Sequence, residues 1–520
     1  MSEPTEPAPP SLSSAQLQDR AVRGVAWTMI NTVVSIPVAF GVNLLLARVL
    51  APEGYGRLAF LTTLIGIAGS LIALGLSSAM IQFGARAHAA GRVDEVRRIL
   101  SASQGFRLLI VAPVLTLLVL VLVDVPTSLL VLAVLFGVWV PAALDGGVIT
   151  LSIENKSASA ARIAMVSNLL VQGGVVAVVL WVGTADSVWA ARVVLSATVI
   201  AMSFAVISPA YRRAVLRPRL PRGFPEGFWR FALPTGAAAL IAELALSRTE
   251  VVLLGWLSNP ADVGWFALAF GVSAHIFGPA QALTGPLIPA LSGLKEVGVE
   301  HVAEAFARTL RAVALVIGLL TAGALPALAA LVPLLYGDAY APAASALLVM
   351  GLVTGLGVVI GPVTAFVMAR LSARRLLWAS SCALAVDTVV ALATIPPLGM
   401  WGAVLANASA VAVQLSILME SERKDLGIRF SAVARMLAPT LLASLSCGIA
   451  WTVTLTAGWT EVPSAVVASI LATGLLWAGI NVTGSGLTAA DRDAIVRNLP
   501  ARLSPSAKRV LRCFTQRQAR

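Results

Sequence analysis

The feature that most constrains this chain is a succession of apolar segments, each about 20 residues long, separated by short polar turns. An α-helix of that length crosses the hydrocarbon core of a bilayer and pairs its backbone groups within its own segment. Strands of membrane barrels are shorter, about 10 residues, and alternate in hydrophobicity. Only 12% of the residues are charged and 58% are hydrophobic, whereas soluble domains carry about 25% charged residues. The chain is therefore predicted to be an all-α polytopic membrane protein.

Fourteen segments have the length and hydropathy expected of transmembrane helices. The loops predicted on the outer side are short, so none of them can hold a folded catalytic domain. The predicted spans are 22–47, 58–83, 105–123, 127–150, 161–183, 187–208, 231–256, 263–290, 310–335, 342–368, 376–396, 399–419, 434–457 and 463–482.

The distribution of basic residues supports this division of the chain. With a cytoplasmic N-terminus, nearly all of the 37 Lys and Arg residues fall on the cytoplasmic side, as the positive-inside rule requires. Both termini are then cytoplasmic. This topology, with attraction to anionic inner-leaflet lipids, accounts for the net charge of +12, so no nucleic-acid partner is predicted. The exceptions are Arg48, Arg57, Arg192 and Arg248.

Two similar strings indicate an internal repeat. LLARVLAPEGYGRLAF at 45–60 and LLGWLSNPADVGWFAL at 253–268 align without a gap, and each forms the outer turn after the first span of a six-span block. Blocks that both begin inside are parallel repeats, as in many transporters. The predicted organisation is a disordered cytoplasmic N-terminus (1–20), two six-helix lobes (21–208 and 231–419) around a central cavity, a basic cytoplasmic linker (209–230), two further helices (434–482) and a basic cytoplasmic tail (483–520).

The order of motifs resembles one family of membrane proteins. LGLSSAMIQFG ends span 2, the second lobe opens with FALPTGAAAL, and SRTEVVLLGWLSNPADVGWFALAF and PPLGMWGAVLANASA follow. This order is similar to the polysaccharide-transporter branch of the multidrug/oligosaccharidyl-lipid/polysaccharide exporter superfamily. The resemblance implies a flippase for undecaprenyl-diphosphate-linked oligosaccharide, or an exporter of a related envelope polysaccharide, in the bacterial cytoplasmic membrane. Glycan polymerase or export proteins would be its partners.

The chain departs from the pattern of this family at particular residues. Glu250 stands where the family commonly has Asp, and Asp387 stands where it often has Asn. The lipid II flippase branch usually begins with an arginine-rich span, whereas no arginine lies between Arg23 and Arg48 here. The resemblance therefore favours an oligosaccharide flippase, and a lipid II flippase stays an alternative.

Three carboxylates lie inside predicted spans, where a charge costs about 2.5–3.5 kcal/mol to insert. Glu243 and Glu250 are seven residues apart in span 7, which places them on one face of a continuous helix. Asp387 lies near the middle of span 11. All three are candidate residues of a substrate and ion cavity, where a carboxylate exchanges protons or binds a cation. The alternative is a structural pairing with a neighbouring helix.

Two arginines are candidate contacts for a diphosphate or an anionic sugar. Arg248 lies in span 7, and Arg48 lies beside the first outer turn. The alternative for Arg248 is that its long side chain reaches the outer headgroups, as Arg57 is expected to do.

The sequence contains no P-loop, Cys/His cluster or Ser/His/Asp arrangement, so no cofactor, metal site or enzyme is predicted. Energy would come from a proton or sodium gradient through a cavity carboxylate, or from consumption of the substrate outside. A multidrug exporter of the same superfamily is an alternative. A membrane glycan polymerase or ligase is less favoured because it needs a large outer loop. The glycan, the coupling ion and the oligomeric state are left open.

Overall fold

The structure, a computed structural model, describes residues 14–73, 75–122, 125–245, 249–282, 299–369, 373–489, 492 and 514–515. Helices form nearly all of the regular structure in these residues, with one bridge between Leu487 and Thr515. The chain folds into two compact units, Met1–Glu243 and Leu244–Arg520. The division falls inside predicted span 7, and the bounds of the two predicted lobes stay a prediction.

The first unit consists of apolar helices joined by short turns. Apolar segments in lipid satisfy their backbone groups as helices, which is why the predicted spans are helical. π-Helical turns at Arg107–Val111 and Ala133–Trp139 connect some of them. The helices are α1 (Ser14–Ala73), α2 (Leu76–Ala89), α3 (Val93–Phe106), α4 (Ala112–Leu122), α5 (Thr127–Leu132), α6 (Val140–Leu144), α7 (Gly146–Ile153), α8 (Ser157–Trp181), α9 (Ala185–Ile200), α10 (Pro209–Leu216) and α11 (Phe228–Glu243).

Helix α1 contains the predicted first outer turn. Ala51 has a φ of 56° and a ψ of 174°, so it divides α1 into two helices at a kink. Pro52 follows it, and a residue before proline is driven away from the helical conformation. Helix α1 also begins at Ser14, inside the segment predicted to be disordered, because the four prolines of that segment all precede Ser14.

The second unit is also built from apolar helices. A 3-10 turn at Asp338–Tyr340 connects two of them. The helices are α12 (Thr249–Leu257), α13 (Pro260–Ala282), α14 (Val299–Gly323), α15 (Leu325–Ala330), α16 (Val332–Tyr336), α17 (Ala341–Ala369), α18 (Ala373–Leu398), α19 (Met400–Asp425), α20 (Phe430–Ala457) and α21 (Glu461–Thr483).

Twelve helices in the described residues are long and apolar enough to cross a membrane, so the chain is a multi-pass membrane protein. The first of them, Val34–Ala89, covers both predicted spans 1 and 2 across the kink. A shorter apolar helix, Phe228–Ile241, lies in predicted span 7. The count of fourteen spans therefore stays a prediction. In predicted span 7, α11 is followed by a π-helical turn at residues 244–245, and α12 begins at Thr249.

Each unit has its own apolar core. In the first unit, one cluster includes Trp189 and a second includes Tyr211 and Phe228. In the second unit, a cluster of alanines and leucines joins α14, α20 and α21. Gly318 permits α14 to approach α20, because a Cβ there would lie 2.9 Å from the Pro439 carbonyl oxygen. Small residues allow this close packing of membrane helices.

Candidate functional site

A buried polar site in the second unit is built from three helices. Glu250 stands in the first turn of α12, Asp387 in the middle of α18 and Asn407 in the first half of α19. Helices α18 and α19 form a hairpin that turns at Gly399, where φ is 54°. Helix α12 packs against both of them. The fold thus gathers three polar side chains that are far apart in the sequence.

Asn407 and Asp387 both lie against Glu250. Asn407 Nδ2 donates a hydrogen bond to Glu250 Oε1, and the Asp387 carboxylate lies beside the Glu250 side chain. Glu250 and Asp387 are 0% exposed and Asn407 is 2% exposed. Apolar side chains of α18, of α19 and of the π-helical turn at 244–245 pack together beside the site. They include Ala245, Ala383, Leu384 and Ala410.

Three carboxylate oxygens of this site lack a hydrogen-bond donor in the part of the chain that the structure describes. They are Glu250 Oε2 and both oxygens of Asp387. Burying an ionised carboxylate without a partner is unfavourable, and two ionised carboxylates side by side also repel each other. A proton or a cation between the two side chains reduces both penalties, because it gives the oxygens a partner and leaves one negative charge in place of two. Oxygen atoms are the ligands that hard cations prefer, so the residues present fit a sodium ion as well as a proton.

Glu243 contacts a different partner. It is the last residue of α11, its side chain is half-buried, and its Oε2 accepts a 2.5 Å hydrogen bond from Ser70 Oγ of α1. Residues 244 and 245 continue from α11 as a π-helical turn, and α12 begins at Thr249. The shared face of Glu243 and Glu250 stays a prediction. The structure brings Glu250 together with Asp387.

The arginines near the outer turns differ in their surroundings. Arg48 is exposed on α1 just before the kink at Ala51. Arg248 lies outside the described residues. Arg57 donates through Nε and Nη2 to the two Asp186 carboxylate oxygens, at 2.6 and 3.1 Å. This pair ties the second half of α1 to the start of α9, and the expectation that Arg57 also reaches the outer headgroups stays a prediction.

Sequence reasoning misses an ion pair in the first unit between the buried Arg107 and the partly exposed Asp145. Arg107, which the topology assigns to a cytoplasmic segment, is 1% exposed. Its Nη1 lies 3.2 Å from Asp145 Oδ2, and its Nη2 donates to Ser77 Oγ at 3.2 Å. The available signal is that Arg107 and Asp145 lie at the cytoplasmic ends of neighbouring predicted spans. Asn407 is missed as well, because nothing distinguishes it from the other amides inside spans.

These observations define a class: a multi-pass helical membrane protein of two units, with a buried carboxylate pair in the second. The chain belongs to the family described as "Polysaccharide biosynthesis protein", whose model matches residues 21–295, just over half of the 520 residues. The resemblance indicated by the order of motifs is therefore confirmed.

Solved structures of transporters share this fold. The lipid II flippase MurJ, in an inward closed conformation, matches with a TM-score of 0.65 and 12% identity, over 87% of this chain and 99% of that chain. An inward-facing MATE family multidrug transporter of the MOP superfamily matches with a TM-score of 0.55 and 18% identity, over 74% and 94%. A MATE transporter of Vibrio cholerae matches with a TM-score of 0.53 and 15% identity, over 80% and 99%. The predicted all-α transporter fold is thereby confirmed. No curated protein sequence matches the chain significantly.

Proposed function

We propose that this protein is a flippase that moves an undecaprenyl-diphosphate-linked oligosaccharide, or a related envelope polysaccharide intermediate, from the inner to the outer leaflet of the bacterial cytoplasmic membrane. Membership of the polysaccharide biosynthesis family supports a glycan substrate. The fold supports transport, because it is shared with a lipid II flippase and with multidrug transporters.

The physical problem is to carry a sugar–diphosphate head across about 30 Å of hydrocarbon. A charged head cannot cross the hydrocarbon unaided, because each intramembrane charge is costly. A flippase solves this with a polar cavity that opens inward and outward in turn, while the polyprenyl tail stays in lipid. A polymerase that consumes the flipped substrate on the outer side would favour net outward transport by mass action.

The buried pair of Glu250 and Asp387 is the observation that carries our proposal for the driving force. Three of its oxygens lack a donor in the described residues. A proton or sodium ion that enters bridges the two carboxylates and lowers their joint charge from two negative charges to one. Its departure restores the repulsion between α12 and α18. Ion occupancy therefore favours one packing of these helices over another, which is the requirement for coupling a gradient to a conformational cycle.

Deletion of the gene followed by extraction of polyprenyl-linked lipids tests the flippase. We expect a polyprenyl-diphosphate oligosaccharide to accumulate on the inner leaflet, and the wild-type gene to clear it. Glu250→Gln and Asp387→Asn should each fail to clear it, because a site with a single carboxylate no longer holds a positive ion between two carboxylates. Glu304→Gln is the matched control, since this carboxylate forms an exposed ion pair with Arg308 and should rescue like wild type.

The extracted lipid also distinguishes the alternatives. Accumulated lipid II would assign the protein to the lipid II flippases. Altered dye resistance without any accumulated lipid would favour the multidrug exporter, which the shared MATE fold keeps as a second candidate. Normal lipid pools and normal surface glycan in the deletion strain would contradict the proposed flippase.

A further inference from the structure

The surface between predicted spans 6 and 7 carries a feature that the proposed transport cycle does not use. Residues 212–222, the basic segment, read RRAVLRPRLPR and contain five arginines and no acidic residue. All five arginines are exposed. Leu216 and Leu220 are exposed as well, at 53% and 63%. Arginines and large aliphatic side chains therefore share one surface.

The first half of the basic segment belongs to α10, which is fixed to the first unit. Tyr211, Ala214 and Val215 are its buried residues and form its inner face. Arg97 Nε donates a hydrogen bond to the Ala210 carbonyl oxygen at 2.8 Å. The arginines of α10 lie on the opposite, exposed face of an anchored helix.

The second half is extended and lies along α3. The Arg219 N–H donates to the Ser101 carbonyl oxygen at 3.0 Å. The Arg219 carbonyl oxygen lies over Gly105, where a Cβ would approach it to 1.7 Å. The main chain is thus held against α3, while the side chains of Arg217, Arg219 and Arg222 stay exposed.

Neighbouring elements place the basic segment at the level of the lipid headgroups. The candidate span Ala185–Ala205 ends just before α10. Beyond the segment, Phe224 packs against Phe228 and Trp229, with ring centroids 4.5 and 5.1 Å apart. Tryptophan is enriched at the interface between membrane and water. The basic segment therefore lies between a membrane span and an aromatic cluster typical of the interface.

The five arginines lack neutralising partners in the described part of the chain, where none of them forms an ion pair with a carboxylate. Some other exposed basic residues on the predicted cytoplasmic side do have such partners, since Arg92 pairs with Glu95 and Arg375 with Asp425. The positive charge of the basic segment is therefore available to an external anion.

We propose that the basic segment binds the headgroups of anionic phospholipids of the inner leaflet, with Leu216 and Leu220 inserted among the acyl chains. Guanidinium groups bind phosphate oxygens through paired, charge-assisted hydrogen bonds. Basic residues beside a membrane span are attracted to an anionic leaflet, and their effects accumulate. The exposed leucines favour a lipid over a soluble anion, because only a lipid offers apolar surface against which to bury them.

The test uses the purified full chain in phosphatidylcholine nanodiscs, titrated with phosphatidylglycerol and followed by native mass spectrometry. Replacing all five arginines with glutamine should weaken phosphatidylglycerol binding by about tenfold or more. A matched control removes the same number of charges from residues that already pair with carboxylates and should change binding by less than about twofold. The control variant replaces Arg92, Arg308, Arg375, Arg423 and Lys424 with glutamine.

A second variant, Leu216→Gln/Leu220→Gln, keeps every charge and tests the lipid itself. It should also weaken phosphatidylglycerol binding, and inorganic phosphate should not compete. Unchanged binding in the five-arginine variant, or an equal loss in the control variant, would overturn the proposal. The proposal would also be overturned if inorganic phosphate competed effectively and the leucine variant bound phosphatidylglycerol like wild type. That result would indicate that the basic segment binds a soluble anion. Transport is not measured, so this result is independent of the flippase proposal.

Discussion

At the scale of single residues, Glu250 and Asp387 combine complete burial with missing donors. Both side chains are fully buried, and three of their oxygens have no donor in the described residues. A structural carboxylate in a protein interior normally has its hydrogen-bond partners. The pair therefore has the properties of a site that takes up and releases a positive ion, and its occupant should stabilise the fold.

The variant Asp387→Asn should abolish the response of protein stability to that ion. A ligand that binds only the folded state stabilises it by about 2.7 kcal/mol at a concentration of 100 Kd. We expect the wild-type melting temperature to rise when sodium replaces potassium if the ion is sodium. If the ion is a proton, the melting temperature should rise as the pH falls. Thermal unfolding of the purified protein in detergent measures both responses.

Glu304→Gln supplies the control for this measurement, because it removes a carboxylate from an exposed pair and leaves the buried site intact. This control should respond to sodium or to pH as the wild type does. A full response in Asp387→Asn would show that the stabilising ion binds elsewhere, and the coupling proposal would then fail.

Ala51 carries backbone strain at the outer turn of α1. Its φ of 56° and ψ of 174° lie in a region that essentially only glycine adopts, and such residues cost about 1–3 kcal/mol. Ala51 is exposed, so glycine would lose little packing there. We expect Ala51→Gly to stabilise the protein by about 1 kcal/mol. In the helical part of α1, Ala59→Gly should destabilise it by about 1 kcal/mol. Shifts of the same sign in melting temperature would contradict this account.

At the scale of helices, the Arg107–Asp145 pair joins the π-helical turn after α3 to the turn between α6 and α7. Asp145→Leu would leave the guanidinium buried without a counter-charge. Because the Asp145 side chain is partly solvated, we expect the free energy of unfolding to fall by about 2 kcal/mol, less than for a fully buried pair. The double variant Arg107→Met/Asp145→Leu should recover most of that loss, because apolar side chains of similar volume replace buried ion pairs well. Denaturant unfolding compares the three proteins.

Arg92→Gln is the reference for this experiment. It breaks the exposed ion pair with Glu95, three residues further along the chain. The free energy of unfolding should fall by less than about 0.5 kcal/mol. If Asp145→Leu cost no more than Arg92→Gln, or if the double variant were the least stable, the pair of Arg107 and Asp145 would not hold these helices together.

Individual helix ends show which features the sequence determines locally. The kink at Ala51 precedes Pro52, and the hairpin of α18 and α19 turns at Gly399, so proline and glycine mark both turns. The contact between Asn407 and Glu250 has no such signal, because it joins residues that are 157 positions apart in the sequence. Hydrophobic periodicity in the sequence predicts which residues share one face of a helix. It does not predict which other helix packs against that face.

At the scale of the whole molecule, the fold class was predictable because lipid acts on every residue of a span. The hydropathy of the spans and the placement of the arginines both follow from the presence of the lipid bilayer. The pair of Glu250 and Asp387 was predictable only as two separate carboxylates, since their contact depends on how α12 packs against α18. The sequence also predicts the membrane topology of the whole chain. This topology assigns each turn to one side of the membrane.

Single cysteines in a chain whose Cys382, Cys447 and Cys513 are replaced by serine test this topology. A membrane-impermeant maleimide added to intact cells should label the predicted outer turns, and it should label the predicted inner turns only after permeabilisation. Gel analysis of the labelled protein measures both. The outer positions are Glu53, Asn259 and Thr460, and the inner positions are Arg92, Arg217 and Arg429.

Glu53 and Asn259 decide between fourteen spans and a smaller number. If the apolar stretch Val34–Ala89 crossed the membrane as one element, a cysteine at position 53 would lie in lipid or on the inner side and would resist the reagent. If predicted span 7 did not cross, a cysteine at position 259 would be protected together with one at position 217. External labelling at 53 and 259, with protection at 217, therefore requires both crossings, and any other pattern at these three positions contradicts the predicted map.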